Sequence, residues 1–401
     1  MRVLVSFVGG RGHLDPMLPI VDAVRDVGHE IEIAGSGRAL TAAARLGYRT
    51  VETVVASQRT GAEVNAPGAR GTGTLAVPDR GRDAWELAEL FVRRAGAARA
   101  PVIAEHCRAL QPDIVLCDEV DVGAMLAAEL TGRPHATVAV TAAGSFVRPE
   151  VVGPALDEVR AGLGLPPDPT AAMLHRYLTL MPFPPSFHDA GVVRPTSHTI
   201  RPELAPLTSP VPDWLAARGP GDRPLVYATL GTDFNTESGD LFDRLIAGLA
   251  ALEADGVDGV VTVGGDLEPA VFGPAPTNVR IERYVPQAAL LPRCAAVISH
   301  GGSGTVMGAV LHGLAQVVVP LGADQPHNAD RCRTLGLGVV LDPIALRADD
   351  VRRAVSDVVV DPGYREAAAR LAAEAAELPG PAHAVALLER LAVERAPVTA
   401  G

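Results

Sequence analysis

The chain has 401 residues, 48% of them hydrophobic and 20% charged, and carries a formal net charge of −12. That length predicts two domains rather than one small core, and the acidic balance excludes a nucleic-acid binder, which needs clustered cations against phosphate. All 35 basic side chains are arginines, so a Schiff-base lysine, a lysine general base and a Walker-type phosphate-binding lysine are excluded too.

The run Met1–Val8 is too short for the apolar core of a signal peptide, and it leads into Gly9-Gly10-Arg11-Gly12 without a cleavage site. No apolar run reaches membrane-spanning length and no basic amphipathic helix appears, so a soluble cytoplasmic protein with no membrane partner is expected. Short β-rich runs then alternate with Ala-rich helical stretches, the pattern of parallel sheets covered by helices. The first half predicts strands at Val3–Val8, Glu30–Ala34, Ile114–Cys117 and Ala136–Val140. The second predicts Leu225–Leu230, Gly259–Val263, Val279–Glu282, Ala295–Ser299 and Gln316–Pro320. Between Ser57 and Arg82 the periodicity is weak and Gly, Thr and Pro abound, which reads as a long surface loop. The Pro-rich stretch Pro202–Pro224 reads as an extended linker. Domains are therefore expected at 1–205 and 222–380, joined by a linker at 206–221, with a last helix at 381–401 beyond the break Leu378-Pro379-Gly380-Pro381. Cys107, Cys117, Cys294 and Cys332 form no C-x-x-C pair and read as free thiols.

Each half opens with an apolar strand that runs into a glycine turn: Gly9-Gly10-Arg11-Gly12-His13 in the first, Gly231-Thr232 in the second. The first turn fails as a dinucleotide fingerprint, because after Gly10 and Gly12 the third glycine position holds Asp15 and no acid ends the second strand at Ala34-Gly35. A histidine at a sheet's carboxyl edge suits general-base work at neutral pH. Such a base needs an orienting acid. Asp118, at the end of Asp113–Cys117, is the first choice, with Glu119 and Asp121 as neighbouring competitors. In the second half His300-Gly301-Gly302-Ser303-Gly304-Thr305 follows a strand and precedes a helix. Its glycines admit a ligand close to the backbone, and the new helix turns unpaired N–H groups toward an anion. A tight α/β connection accounts for those six residues equally well; the surroundings favour the anion. Upstream stands Tyr284-Val285-Pro286-Gln287, downstream Asp324-Gln325-Pro326-His327-Asn328. An aromatic for a base, a phosphate turn and an acid–amide pair for hydroxyls compose a nucleotide-sugar site. No D-x-D occurs, no metal-ligand spacing appears, and G-x-S-x-G fails at Thr305.

The block Tyr284–Asn328 together with Gly12-His13-x-x-Pro16 resembles the GT-B glycosyltransferases of family 1, nearest to the bacterial branch that acts on natural products. The resemblance implies an α/β fold of two facing, Rossmann-like, doubly wound domains with a cleft between them. It implies His13 as general base and Asp118 as its partner, in an inverting, metal-independent transfer without a cofactor. Tyr284 stands where the family usually has Trp, its ring stacking on the nucleobase, with Val285 and Gln287 reading the base edge through their backbone. Thr232, His300, Gly302, Ser303, Gly304 and Thr305 would hold the diphosphate, and Asp324 and Gln325 the sugar hydroxyls. The donor is expected to be a TDP- or UDP-sugar and the acceptor a small apolar metabolite, with Trp85, Phe91 and Phe146 either lining its pocket or packing in the core. The last helix is expected to cross back onto the first domain. Monomer and homodimer both stay open. The rival readings are a GT-B nucleotide-sugar epimerase, a lipid-carrier glycosyltransferase, and a catalytically silent nucleotide-binding activator.

Overall fold

The computed structural model describes residues 1–53, 75, 77–205, 210–219, 221–232, 234–236 and 238–400. Two α/β units compose it: one of residues 1–53, Arg80–Glu203 and the tail from Glu377, the other of Leu204–Ala376. In the first, strands β1 (Arg2–Ser6), β2 (Glu30–Gly35), β3 (Arg49–Glu52), β4 (Ile114–Asp118), β5 (His135–Val138), β6 (Leu178–Met181) and β7 (Ser197–Thr199) form a sheet in the order β3-β2-β1-β4-β5-β6-β7. In the second, β8 (Leu225–Thr229), β9 (Asp258–Thr262), β10 (Val279–Glu282), β11 (Ala296–Ser299), β12 (Ala315–Val318) and β13 (Gly338–Val340) take the order β10-β9-β8-β11-β12-β13. Every pairing in both sheets is parallel.

The expected strands are all present. β3, β6, β7 and β13 are additional, and each is short or carries polar residues that hide a strand in the sequence. Central strands read as unbroken apolar runs because helices bury both faces: Val3, Leu4 and Val5 are fully buried, as are Ile114–Cys117, Val297, Ile298, Val317 and Val318. In both sheets the winding direction reverses once, between β1 and β4 and between β8 and β11. A doubly wound sheet leaves its ligand crevice at that reversal, beyond the carboxyl ends of the strands.

Two sequence expectations change. Of the loop expected at 57–82, residues 57–74 and 76 lie outside the described residues, while Arg80–Glu86 is helical. That helix runs into a π-helix, Leu87–Gly96, and then an α-helix, Ala97–Leu110. Pro101 sits directly beyond the wide winding and has no N–H to return to the preceding turn. The described part of the linker is not a bare spacer. It holds a short helix, Asp213–Ala216, whose Leu215 is buried against Leu225, Tyr227 and Val285, while Arg280 lies 4.9 Å over the Trp214 ring.

The last helix, Pro381–Glu394, packs on Leu18–Asp26 in the first unit. Backbone bonds continue that attachment: Arg201 N–H to Pro379 O at 2.7 Å, Val398 N–H to Tyr177 O and Ala400 N–H to Pro195 O, both at 2.8 Å. All four cysteines are free thiols. No described helix is long and apolar enough to cross a membrane.

Candidate active site

In the first unit the site begins where β1 ends. The chain turns through Phe7-Val8-Gly9-Gly10 into a one-turn helix, Arg11–Leu14, that carries His13. Gly9 has φ +103°, and a Cβ there would lie 2.8 Å from His13 Cδ2, so both conformation and space demand glycine. His13 Nδ1 stands 3.5 Å from Asp118 Oδ1 at the end of β4. That is an ion-pair distance, roughly 0.5 Å beyond an ordinary hydrogen bond. The Asp118 carboxylate is fully buried and held by three backbone donors: Val8 N–H on Oδ2 at 2.8 Å, Val120 N–H at 2.8 Å and Asp121 N–H at 3.1 Å on Oδ1. His13 keeps 22% of its side chain exposed, and the Phe91 ring from the π-helix stacks on it with centroids 6.4 Å apart at 19°. Phe146 is half-buried and Trp85 is exposed. Phe146, like Phe91, packs against the apolar core of the first unit.

The competing acids have other partners. Glu119 Oε1 accepts from Val140 N–H at 2.7 Å, Thr141 N–H at 2.6 Å and Thr141 Oγ1 at 2.8 Å, and burial pushes its pKa up to about 7. Asp121 caps the helix Val122–Leu130, accepting from Ala124 N–H at 3.1 Å, and pairs with Arg99. Nothing in the sequence marked Arg99, because an arginine in a helix is usually solvated; here it is 2% exposed.

In the second unit β8 ends in Leu230-Gly231-Thr232, with Gly231 at φ +76° and Thr232 exposed. Beside it β11 delivers His300, Gly301 at φ +86°, Gly302 and the helix Ser303–Leu311. The His300 ring lies against two glycines: a Cβ on Gly231 would come within 2.7 Å of it and one on Gly302 within 2.5 Å. Burial pushes the His300 pKa down to about 4, so the ring is neutral at physiological pH and offers one N–H donor. Gly304 is exposed, and a Cβ there would meet nothing within 4 Å. The first helical turn has amides with no carbonyl partner inside the helix. Open space thus adjoins a positive helix end.

The acid–amide pair is wired to this turn. Ser303 Oγ donates to Asp324 Oδ2 at 2.6 Å, and the buried Asn328 Nδ2 donates to Gly301 O at 2.9 Å, Ser303 Oγ at 3.0 Å and Asp324 Oδ2 at 2.8 Å. Ser303 therefore turns its hydroxyl toward Asp324. Gln325 Oε1 accepts from Leu321 N–H at 2.8 Å and Gly322 N–H at 3.2 Å, which orients its amide and leaves the NH₂ as the donor. Upstream, Tyr284 is 57% exposed while Val285 is buried. Gln287 Nε2 donates to Thr305 Oγ1 at 3.1 Å, tying the turn after Tyr284 to the helix start. Asn328 stood in the sequence block without a role; it joins the glycine turn to Asp324. Among the described residues no three His, Cys, Asp or Glu side chains converge as a metal site would require.

Both constellations sit at the winding reversals, one with a histidine–carboxylate pair, the other with a positive helix start beside the acid–amide pair Asp324–Gln325. Residues 246–391 match the family model described as Erythromycin biosynthesis protein CIII-like, C-terminal domain. An L-demethylnoviosyl transferase from Streptomyces niveus is 31% identical over 409 residues, covering all of both chains. The glycosyltransferase SnogD from Streptomyces nogalater is 27% identical with a TM-score of 0.75, over 98% of this chain and 99% of that one. The spinosyn rhamnosyltransferase SpnG complexed with thymidine diphosphate is 26% identical with a TM-score of 0.78, over 97% of this chain and 100% of that one; the same enzyme is also known with spinosyn aglycone. The chain belongs to this family: it is a glycosyltransferase of family 1 with the GT-B fold, of the branch that builds natural products and antibiotics.

Proposed function

We propose that the enzyme moves a sugar, with inversion at the anomeric carbon, from a thymidine or uridine diphosphate donor to a hydroxyl of an apolar secondary metabolite. His13 removes the acceptor proton. The acceptor oxygen bonds to the anomeric carbon as the carbon–oxygen bond to the diphosphate breaks. Asp118 holds the Nδ1 side of the ring and stabilises the imidazolium, so that Nε2 takes the proton. The departing diphosphate takes its negative charge to the amides at Gly302–Gly304, neutral His300 and Thr232, and the helix start stabilises it electrostatically. Asp324 and the Gln325 amide hold sugar hydroxyls, and Tyr284 offers its exposed face to the base. Phe91, Phe146 and Trp85 supply apolar surface for the acceptor. The donor is a co-substrate; neither metal nor cofactor enters the reaction, and the enzyme works in the cytoplasm.

The observation that carries this reading is the His13–Asp118 pair at one winding reversal and the helix start beside His300 at the other. Thymidine diphosphate as leaving group draws support from the SpnG complex, and an apolar acceptor from its complex with an aglycone. The test is mass spectrometry of the purified protein with TDP- and UDP-sugars and a panel of polyketide and aromatic acceptors. A product heavier than an acceptor by one glycosyl unit is expected, its anomeric configuration opposite to the donor's by NMR. A product retaining the donor's configuration would refute the single-displacement mechanism.

A further inference from the structure

A buried cation lies behind the His13–Asp118 pair. Arg99 is 2% exposed and its partner Asp121 1%. All three guanidinium nitrogens donate: Nε to Asp121 Oδ1 at 3.2 Å, Nη2 to Asp121 Oδ2 at 2.7 Å, to Ser6 Oγ at 3.2 Å and to Phe7 O at 2.9 Å, and Nη1 to Thr53 Oγ1 at 2.6 Å. Ser6 Oγ in turn donates to Asp121 Oδ2 at 2.6 Å, and Thr53 Oγ1 to Gly35 O at 3.1 Å. One side chain therefore joins the carboxyl ends of β1, β2 and β3 to the cap of the helix Val122–Leu130. Gly123 makes room for it, since a Cβ there would lie 2.8 Å from Arg99 Cβ.

A buried ion pair of this kind contributes little net stability, because desolvation offsets the attraction. Its reach toward Asp118 gives it another use. The Phe7–Val8 peptide has its oxygen on Arg99 and its N–H on Asp118 Oδ2 at 2.8 Å. Asp121 likewise accepts from Arg99 through its side chain while its backbone N–H donates to Asp118 Oδ1. Two of the three backbone donors on the carboxylate are thus held from behind by one guanidinium, and a cation on a peptide oxygen strengthens the N–H at the other end. The same helical rod touches the other member of the pair through Phe91. In an uninterrupted α-helix the eight residues from Phe91 to Arg99 would set them about 80° apart. The π-helix turns less per residue and removes most of that offset.

We propose that Arg99, acting with Ser6 and Asp121, is a positioning residue for the general base: it clamps the Phe7–Val8 peptide against Asp118 and so fixes the carboxylate that orients His13. This rests on the assignment of His13 and Asp118 made above.

The test is a double-mutant cycle on the intact protein. Arg99→Met/Asp121→Asn removes both charges and leaves neither buried alone. Ser6→Ala is the gentler variant and carries the cycle if the double variant does not fold. Each is combined with Asp118→Asn, and steady-state kcat and donor KM are measured on samples matched in folded fraction by circular dichroism. In the native background Arg99→Met/Asp121→Asn should lower kcat roughly tenfold and Ser6→Ala about threefold, within the coupling range of contacting groups, with donor KM moving less than about twofold. In the Asp118→Asn background both losses should shrink to less than about twofold, because the carboxylate they act on has gone. Equal losses in the two backgrounds would mean a merely structural role, and no loss in the native background would mean no role; either overturns the proposal. His13→Ala is run alongside. If it keeps full turnover, the general-base assignment is what has failed; if it loses turnover while the cycle stays additive, only the positioning role falls.

Discussion

Gly304→Ala separates the needs of the fold from those of the donor. Gly304 lies in the first turn of the helix Ser303–Leu311, is exposed, and has no atom within 4 Å of the place a Cβ would take. Alanine is a better helix former than glycine by up to about 1 kcal/mol, so the substitution should leave the ligand-free protein as stable or slightly more so. The space it fills is where a diphosphate would approach the helix amides. A methyl group there should weaken TDP and UDP binding by at least tenfold, about 1.4 kcal/mol. Gly302→Ala is the contrast. Its φ of −62° suits any residue, but its Cβ would meet the His300 ring at 2.5 Å. Overpacking of that kind costs roughly 1–3 kcal/mol, so this variant should lose stability as well as affinity. Calorimetric titration with each nucleotide and thermal unfolding without ligand measure the two effects separately. A Gly304→Ala protein that binds both nucleotides as tightly as the native one would refute the assignment of the diphosphate to this turn.

His13→Ala should slow transfer to an alcohol acceptor by roughly two to four orders of magnitude with donor affinity nearly unchanged. Asp118→Asn should be milder, since it mis-orients the base without deleting it; steady-state kinetics with an acceptor of pKa well above neutral read both, and an acidic phenol would hide the effect. Turnover should survive EDTA, and activity that vanished on chelation and returned with Mg²⁺ would contradict a helix terminus as the charge stabiliser. Burial pushes His135 and His300 down to about 4. Both groups bind fewer protons folded than unfolded, so the stability they contribute is complete above the unfolded value near 6.5 and is lost as pH falls toward 4, each at about 1.4 kcal/mol per unit. Urea titrations at pH 7 and 5 of the native protein and of His135→Gln isolate that slope from Glu119, whose raised value acts in the opposite sense; equal pH dependence in the two proteins would refute the buried, neutral His135.

The central strands and both glycine turns were legible in the sequence because burial on two faces leaves unbroken apolar runs and close backbone approach leaves glycines. Gly302 reads as a ligand-facing position and Gly231 as part of a strand-end turn, yet each also packs on His300, a contact no local pattern encodes. β7, with Ser197-His198-Thr199, carries no apolar pattern because an edge strand needs little apolar side chain. Asp118 was favoured over Asp121 by its place at the strand end; what occupies Asp121 comes from Arg99, more than twenty residues away along the chain. The sequence likewise gave no sign of the π-helix, since its pairing pattern depends on the packing around it.

The tail's attachment bears on how the molecule is made. The first unit holds its whole sheet as soon as β7 has left the ribosome. Its surface helix Leu18–Asp26 then still lacks the helix Pro381–Glu394, and the carbonyls of Tyr177 and Pro195 still lack the amides of Val398 and Ala400. Domains generally fold in the order of synthesis; here the unit synthesised first is the last to be finished, and its apolar seam stays open throughout translation of the second. A chimera exchanging the second unit between relatives must accordingly be cut twice, near Leu204 and again near Glu377, so that each first unit keeps its own closing helix.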